Sequence, residues 1–442
     1  MPWRRTPARW LFEKEWRELL SARAFWVMLV LTGPLVGVSF ISAVETYGEL
    51  SRAGGTGNGV GEAFSPLIGI WSPTFSAFEI VAAFLLPFVA IRLATADRQS
   101  GALKIEMQHS RVGPGERILV KSLVLFAGWG IASLAGVVAM ILWSLYGGYA
   151  YGPELLAIAL GHFLNAGLTI ALAVCASSFV EHPSTAAILT LGFTVGTWVV
   201  SFVAAVHGGV WDRIASYTPP VMVASFQHGL VDGGTVLVAL LLIVAGLAIA
   251  AVWLRIGTPA RQRLVESFAV IGVAAVGLGA ASLTTRSWDA SENRYNSFSI
   301  ADEETLERIR EPLHIEIHLA PEDPRRQDLE RHALSKLRRV MSRFTVQYVS
   351  STSTGLFEQA DEHYGEIRFE LDGKRAVSRT FTAEGVLENI FALAQLTPPP
   401  EGAEIFRGHP LAAHPRGAGA IFYVLWPALA LGAGFSLSGR KA

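Results

Sequence analysis

Long apolar runs punctuate the chain at 24–44, 75–95, 122–146, 154–179, 185–206, 235–254, 267–283 and 417–437. A helix rises 1.5 Å per residue, so about 20 mostly apolar residues suffice to cross the hydrocarbon core. The pattern predicts eight membrane-spanning helices. Pro34, Pro87 and Pro427 fall inside these runs, which is tolerated in lipid where neighbouring helices or side chains satisfy the freed backbone groups. Between the last two runs lies a long hydrophilic stretch, 286–416, with different periods. Leu313, Ile315, Ile317 and Leu319 alternate with polar residues, as do 344–349 and 366–371, and these predict strands. Residues 328–342 place Leu329, Ala333, Leu337, Val340 and Met341 at helical spacing, and 383–396 is a second amphipathic helix. Ser299, followed by Asp302 and Glu303, marks a capped, acidic helix start. This order suggests a small α/β domain.

Composition supports lipid as the solvent. Hydrophobic residues make up 51% of the 442 and charged ones only 17%, with a mean hydropathy of +0.39; soluble domains carry roughly 25% charged residues. The net charge of −1 provides no basic field for nucleic acid. Cys175 is the only cysteine and lies in an apolar run, so no disulfide framework exists. The first run begins near Ala24, behind a charged segment and without a small-residue cleavage site, which reads as a retained span rather than a signal peptide.

Lys and Arg set the orientation. With a cytoplasmic N-terminus, seventeen of the 36 basic residues fall on inner segments, and only Arg52 and Arg213 on short outer loops. The rest sit in 286–416, too long to count. Both termini are therefore expected in the cytoplasm and 286–416 outside. The fold class expected is an α-helical polytopic membrane protein of eight spans, with a small α/β extracytoplasmic domain between the last two.

Two hydrophilic pieces precede the third span. In 8–23, Phe12, Trp16, Leu19 and Leu20 share one helical face among charged positions. This suits an amphipathic helix lying in the interface, with tryptophan at headgroup depth; the plainer alternative is a charged anchor for span one. The loop 92–122 is charged, helix-compatible and longer than a turn requires. A cytoplasmic helix clamped between two spans is a lever, and Asp97, Arg98, Lys104, Glu106, Glu116 and Arg117 are available to dock on a partner. The alternative is a solvated helix that only obeys the charge rule.

Asp97-Arg98-Gln99-Ser100-Gly101-Ala102-Leu103, with Lys121 opening the next span, resembles the E-x-x-x-G-T-L-E…P…K pattern of type-two ABC exporter permeases. Departures are Asp97 for Glu, Ala102 for Thr, Lys104 for Glu and Ser110 for Pro. Tyr217-Thr218-Pro219, then Phe226-Gln227-His228-Gly229-Leu230-Val231-Asp232, is similar to the outer loop before the sixth span in gliding-motility and copper-processing type permeases. Residues 256–442 resemble the auxiliary subunit that accompanies gliding-type permeases. The match runs through Asp289-Ala290-Ser291, Asn296-Ser297-Phe298-Ser299, the Pro312–Pro321 strand and Phe406-Arg407-Gly408-His409. Beyond that Gly-His the family continues into a second lobe, which is missing here.

The resemblance implies a fusion. Residues 1–23 would be the interfacial helix and 24–255 a six-span permease with coupling loop 92–122. A linker and seventh span (256–285), an extracytoplasmic auxiliary domain (286–416) and the eighth span with its tail (417–442) would follow. It further implies ATPase-coupling residues Asp97, Arg98, Gly101, Leu103 and Glu106, and an outer-loop motif of Pro219, Phe226, Gly229 and Asp232. The expected partners are a separate ABC ATPase, a second permease in a homodimer or pseudo-dimer, membrane lipid and an extracytoplasmic protein, in the bacterial cytoplasmic membrane. ATP would act only through the partner; no Walker A sequence occurs in the chain, and no directly bound cofactor is expected. The rival reading is a non-transporting scaffold that passes ATPase-driven force to envelope partners.

Other chemistry is weaker. His314-x-Glu316-x-His318 mimics a metal motif, but on a strand the two histidines sit roughly 13 Å apart, too far for one ion. The glycine-rich 54–61 lacks the Lys-Ser/Thr ending of a phosphate cradle and reads as a linker. Glu79, His162 and Asn165 lie within spans, where polar groups are expensive and face other helices. They would either line an intramembrane polar path or bridge helices. Glu154 sits at an outer edge where water reaches it. Neither His162 nor Glu79 has the nucleophile–base or metal spacing of a membrane enzyme.

Overall fold

A computed structural model describes residues 7–53, 64–109, 112–180, 182–207, 210–284, 286–320, 323–341, 343–349, 363–399 and 406–438. The glycine-rich 54–61 lies outside them. The molecule is mostly helical with a small sheet region. Among the described residues, eight helices are long and apolar enough to cross a membrane: Arg23–Ala53, Leu67–Gln99, Pro114–Leu145, Gly152–Phe179, Pro183–Ala204, Gly233–Leu254, Ala260–Ala281 and Ala418–Leu437. These make the chain a multi-pass membrane protein. The chain divides into two units, one of Met1–Trp198, Tyr217–Trp288 and Arg407–Ala442, the other of Val199–Ser216 and Asp289–Phe406.

In the first unit, α1 (Pro7–Ser21) and α2 (Arg23–Ala53) are followed by a span broken at Leu85 into α3 (Ser72–Phe84) and α4 (Leu86–Gln99). Pro87 in the first turn of α4 sits where a missing N–H is harmless. A short α5 (Ala102–His109) leads to α6 (Pro114–Leu145), α7 (Gly152–Phe179) and α8 (Pro183–His207). The expected long loop 92–122 is therefore mostly helix: α4 carries on to Gln99 and α6 starts at Pro114, with Lys121 well inside it. Helices do not stop where hydrophobicity does, provided the emerging charges find partners.

The protein-facing row of α1 holds a charge as well as apolar residues. Leu11, Glu15 and Leu19, one turn apart, are buried, whereas Phe12 is exposed and stacks on the partly buried Trp16 at 6.3 Å. A glutamate on an otherwise apolar row wins because a cation awaits it.

The last span, which ends in the helix Trp426–Ser438, lies along α2. Gly33 and Gly37 of α2, four apart, let the backbones approach. A Cβ on Gly33 would meet Trp426 at 2.2 Å, and one on Gly37 would meet Phe422 at 2.4 Å. The Trp426 indole N–H donates to the Leu29 carbonyl at 2.7 Å. Residues 407–416, expected in the outer domain, belong instead with the helices. The Tyr47 hydroxyl lies 2.7 Å from the Phe64 carbonyl and 2.8 Å from that of His409, while the His409 ring stacks on Tyr149 at 3.9 Å. Backbone N–H groups of this segment add bonds of their own, His409 donating to the Phe64 carbonyl at 2.8 Å and Leu411 to Ser51 Oγ at 2.9 Å.

The outer-loop motif is built from local geometry. Pro219 opens α9 (Pro219–Gln227), whose Phe226 is buried against Gly161. Gly229 turns the chain at φ +83°. Asp232 then caps α10 (Gly233–Leu254), accepting from the Thr235 N–H at 2.7 Å and its hydroxyl at 2.8 Å. The seventh span, α11 (Ala260–Ala281), follows.

The second unit holds a four-stranded mixed sheet in the order β4-β3-β5-β6, the small sheet β1-β2 (Leu230–Asp232 and Ser287–Asp289) preceding it in sequence. β3 (Leu313–Ile317) pairs in parallel with β4 (Phe344–Tyr348) and antiparallel with β5 (Ile367–Leu371), which pairs antiparallel with β6 (Lys374–Ser378). Leu313, Ile315 and Ile317 face a core shared with Leu337 and Phe391. The helix start at α12 (Ile300–Leu306) is as expected, Ser299 Oγ accepting from the Asp302 N–H at 3.1 Å. β6 has no apolar alternation, but the Asp372-Gly373 turn before it, with φ of 51° and 74°, is a hairpin signal in its own right. The Asp289-Ala290-Ser291 motif ties its own loop. Asp289 accepts from the Ser291 hydroxyl at 2.5 Å and the Asn296 N–H at 2.9 Å. His314 bonds Thr345 at 2.9 Å and His318 bonds Glu316 at 3.0 Å, so the two histidines have separate partners.

Candidate functional site

Charged residues gather where α1, α4, α5 and α6 meet. Lys121 of α6 is buried, and its ammonium reaches Glu15 Oε2 at 2.7 Å, Asp97 Oδ2 at 2.9 Å and the Leu93 carbonyl at 3.0 Å. Lys14 reaches Asp97 Oδ1 at 2.5 Å and Glu106 Oε1 at 2.6 Å. Arg117, also buried, pairs with Glu106 Oε2 at 2.7 Å and donates to the Glu106 carbonyl at 3.2 Å. Arg98 donates to the carbonyls of Ser177 and Ser178, both at 3.0 Å, neutralising the negative end of α7. Burial alone would lower Lys14, but its hydrogen bonds to Asp97 and Glu106 outweigh that and hold the ammonium above the ordinary lysine range. Burial pushes the Glu15 and Glu18 carboxyls up, against the pull of Lys121.

Of the five expected coupling residues, Asp97, Arg98, Leu103 and Glu106 are thus engaged within the chain rather than offered outward. Gly101, at φ +73°, makes the turn into α5 with nothing within 4 Å of its would-be Cβ. Ile105 on α5 is exposed, at 62%. Oxygens of Glu15, Glu18 and Asp97 lie within 4.8 Å of one another, a spacing compatible with a metal ion. The Lys121 ammonium already bridges two of these carboxylates, which balances their charge. Chemically, the junction is a rigid, mutually neutralised clamp. Lys14, Glu15 and the Ser177 and Ser178 carbonyls were not singled out by sequence, although Glu15 on the Leu11–Leu19 row was the available signal.

Within the spans, the three expected polar residues separate into two places. His162 is buried against Phe75 and Phe78, each ring centroid 5.5 Å away. The Ser76 hydroxyl donates to Gln227 Oε1 at 3.0 Å, so the Gln227 amide nitrogen donates to His162 Nε2 at 3.2 Å. His162 is therefore a bridge joining α3, α7 and α9. Glu79 and Asn165 instead line a cleft with Thr169, Thr194, Thr197 and the Pro219-Pro220 start of α9. Glu79 is 91% buried at 9% exposure, and no hydrogen bond or ion pair reaches its carboxylate from the described residues. Glu154 is buried at the start of α7, a favourable place for a carboxylate against the helix dipole.

Pro219 lies at the mouth of this cleft, whereas Phe226, Gly229 and Asp232 serve the fold. Gln227, unnoticed inside the same motif, is the residue that couples it to His162. No protein-family model matches the chain, and no curated protein matches it either.

Proposed function

We propose that this chain is the permease subunit of an ATP-binding-cassette exporter in the bacterial cytoplasmic membrane, driven by a separate ATPase subunit. The observation that carries the reading is the charge clamp. α5 is tied through Glu106 to Lys14 of α1 and Arg117 of α6, and Lys121 ties α6 to Asp97 of α4 and Glu15 of α1. Load applied to the short helix is passed to two spans and the leading helix together, because breaking any of these buried pairs costs several kcal/mol, about 3–5. The ATPase groove would receive the outward side of α5, around Gly101 and Ile105, rather than Asp97 or Glu106. Two such permeases side by side, as a homodimer or pseudo-dimer, would alternate between states that the ATP-bound cassettes prefer unequally. ATP would act only through that partner subunit.

The test places a single cysteine at Ile105 in a Cys175→Ala background. Labelling from the cytoplasmic side only, together with crosslinking to a co-purifying ATPase, is expected. Labelling from the outside ends the proposal, and so does wild-type ATPase association that survives Ile105→Asp unchanged.

The scaffold reading draws on a different feature, the keying of the last span into Gly33 and Gly37 of the first. Pull on the 289–406 unit would then reach the first span through the chain that follows it. Deleting 289–406 separates the two: a transporter keeps some cargo movement, and a scaffold loses its phenotype entirely.

A further inference from the structure

Glu79 stands apart from every other buried carboxylate described above. Glu15, Asp97 and Glu106 each meet an ammonium or guanidinium, and Glu154 has a helix N-terminus. Glu79 lies in the middle of a span, 9% exposed, with no hydrogen bond or ion pair from the described residues. An ionised carboxylate at that depth is costly unless a positive group accompanies it. Asn165, 3% exposed, offers an amide, and Thr194 directs its hydroxyl proton to the Thr190 carbonyl of its own helix, which leaves its oxygen to accept. The remaining walls are apolar and aromatic, including Phe193 and Trp198, the latter braced edge-on by Phe84 at 6.0 Å.

From this geometry we infer that the cleft between α3, α7 and α8 binds the ammonium head of an amphiphile, with Glu79 as counter-ion and Trp198 against the cation. A metal ion fits poorly. Hard cations take six or more oxygens, and one carboxylate among aromatic walls provides too few. An alkylammonium is weakly hydrated, is attracted to aromatic faces and brings an apolar tail for the lipid-facing side of the spans. Binding needs no ATPase; that the cleft holds cargo rests on the transport reading above.

The experiment uses the whole chain in nanodiscs of phosphatidylglycerol, with tritiated dodecyltrimethylammonium as the probe and empty nanodiscs for partition. Saturable binding at one site per chain is expected, displaced by dodecylamine and not by dodecyl sulfate or dodecyl maltoside. Glu79→Gln should weaken it by about 10-fold or more, Glu79→Asp should retain part of it, and Trp198→Ala should cost about 2- to 5-fold. Because Glu79→Gln removes an uncompensated charge without changing shape, its melting temperature checks that the fold survives. Repeating the measurement in phosphatidylethanolamine nanodiscs identifies the source. Competition marks an aminophospholipid headgroup, undiminished binding marks a free amine, and both support the site. Probe uptake no greater than partition, or equal in wild type and Glu79→Gln, overturns the inference. If the Ile105 crosslink to the ATPase persists in that case, the permease reading is untouched.

Discussion

The charge junction at α1, α4, α5 and α6 and the Glu79 cleft both bury carboxylates, but they do opposite things with them. At the junction, Lys14, Arg117 and Lys121 meet Glu15, Asp97 and Glu106 at 2.5–2.9 Å, and the Lys121 ammonium also donates to the Leu93 carbonyl. In the cleft, a carboxylate and an amide line open space. A buried ionic network that satisfies itself has nothing left to offer a ligand and serves as stiff architecture. One left incomplete reserves its missing partner for something that arrives later. The comparison separates the residues that carry force from those that choose a ligand.

The strongest way to break this contrast is Lys121→Met, which takes from Glu15 its nearest cation and leaves Asp97 to Lys14 alone. A loss of about 3–5 kcal/mol is expected, read as a large fall in melting temperature and in folded yield from detergent extracts. Adding Glu15→Gln and Asp97→Asn should recover much of it, since the penalty lies in the orphaned charges. Next comes Gln227→Leu, which removes the partner of both Ser76 and His162 and should cost about 1–3 kcal/mol. A double-mutant cycle with His162→Leu should show coupling above about 0.5 kcal/mol; strict additivity would remove His162 from the bridge.

Asp323 in the second unit sharpens the contrast from outside the spans. Its carboxylate accepts from Arg325 at 2.7 Å and from the Tyr364 hydroxyl at 2.7 Å, and the Arg325 hydrogen bond lowers its pKa to about 2. A lowered carboxyl contributes stability above its unfolded value near 3.8 and loses it as pH falls toward about 2. Melting curves of wild type and Asp323→Asn should therefore differ modestly at pH 7 and converge across that window. The smallest effect belongs to Glu79→Gln in the absence of ligand: a change within about 0.5 kcal/mol or a slight gain. A large loss there would mean that Glu79 is structural and that the two regions are alike.

Much of the second unit could be read from period alone. The alternation of Leu313, Ile315 and Ile317 became β3, Phe344–Tyr348 became β4, and Ala383–Ala394 formed its helix over nearly the expected range. β6 escaped because Lys374–Ser378 is an exposed edge strand with few apolar residues to alternate. On α1, apolar spacing grouped Phe12, Trp16, Leu19 and Leu20, and it could not show that Glu15 is buried between Leu11 and Leu19. Hydrophobic period ranks faces by greasiness and is blind to a cation on another helix. The same blindness hid the intramolecular partners of Asp97 and Glu106.

Length, hydropathy and the alternation of 313–371 by themselves determined that this chain crosses a membrane many times and carries a small α/β unit before its last span. Those are local properties, since a helix long enough for lipid or a strand with one apolar face needs no distant partner to be recognised. Which charges neutralise one another, that Gly33 and Gly37 receive Trp426 and Phe422 from nearly four hundred residues away, and that Glu79 shares a cleft with Asn165 were decided only by tertiary structure. Each depends on distances between separate helices, which the order of residues along one helix does not contain.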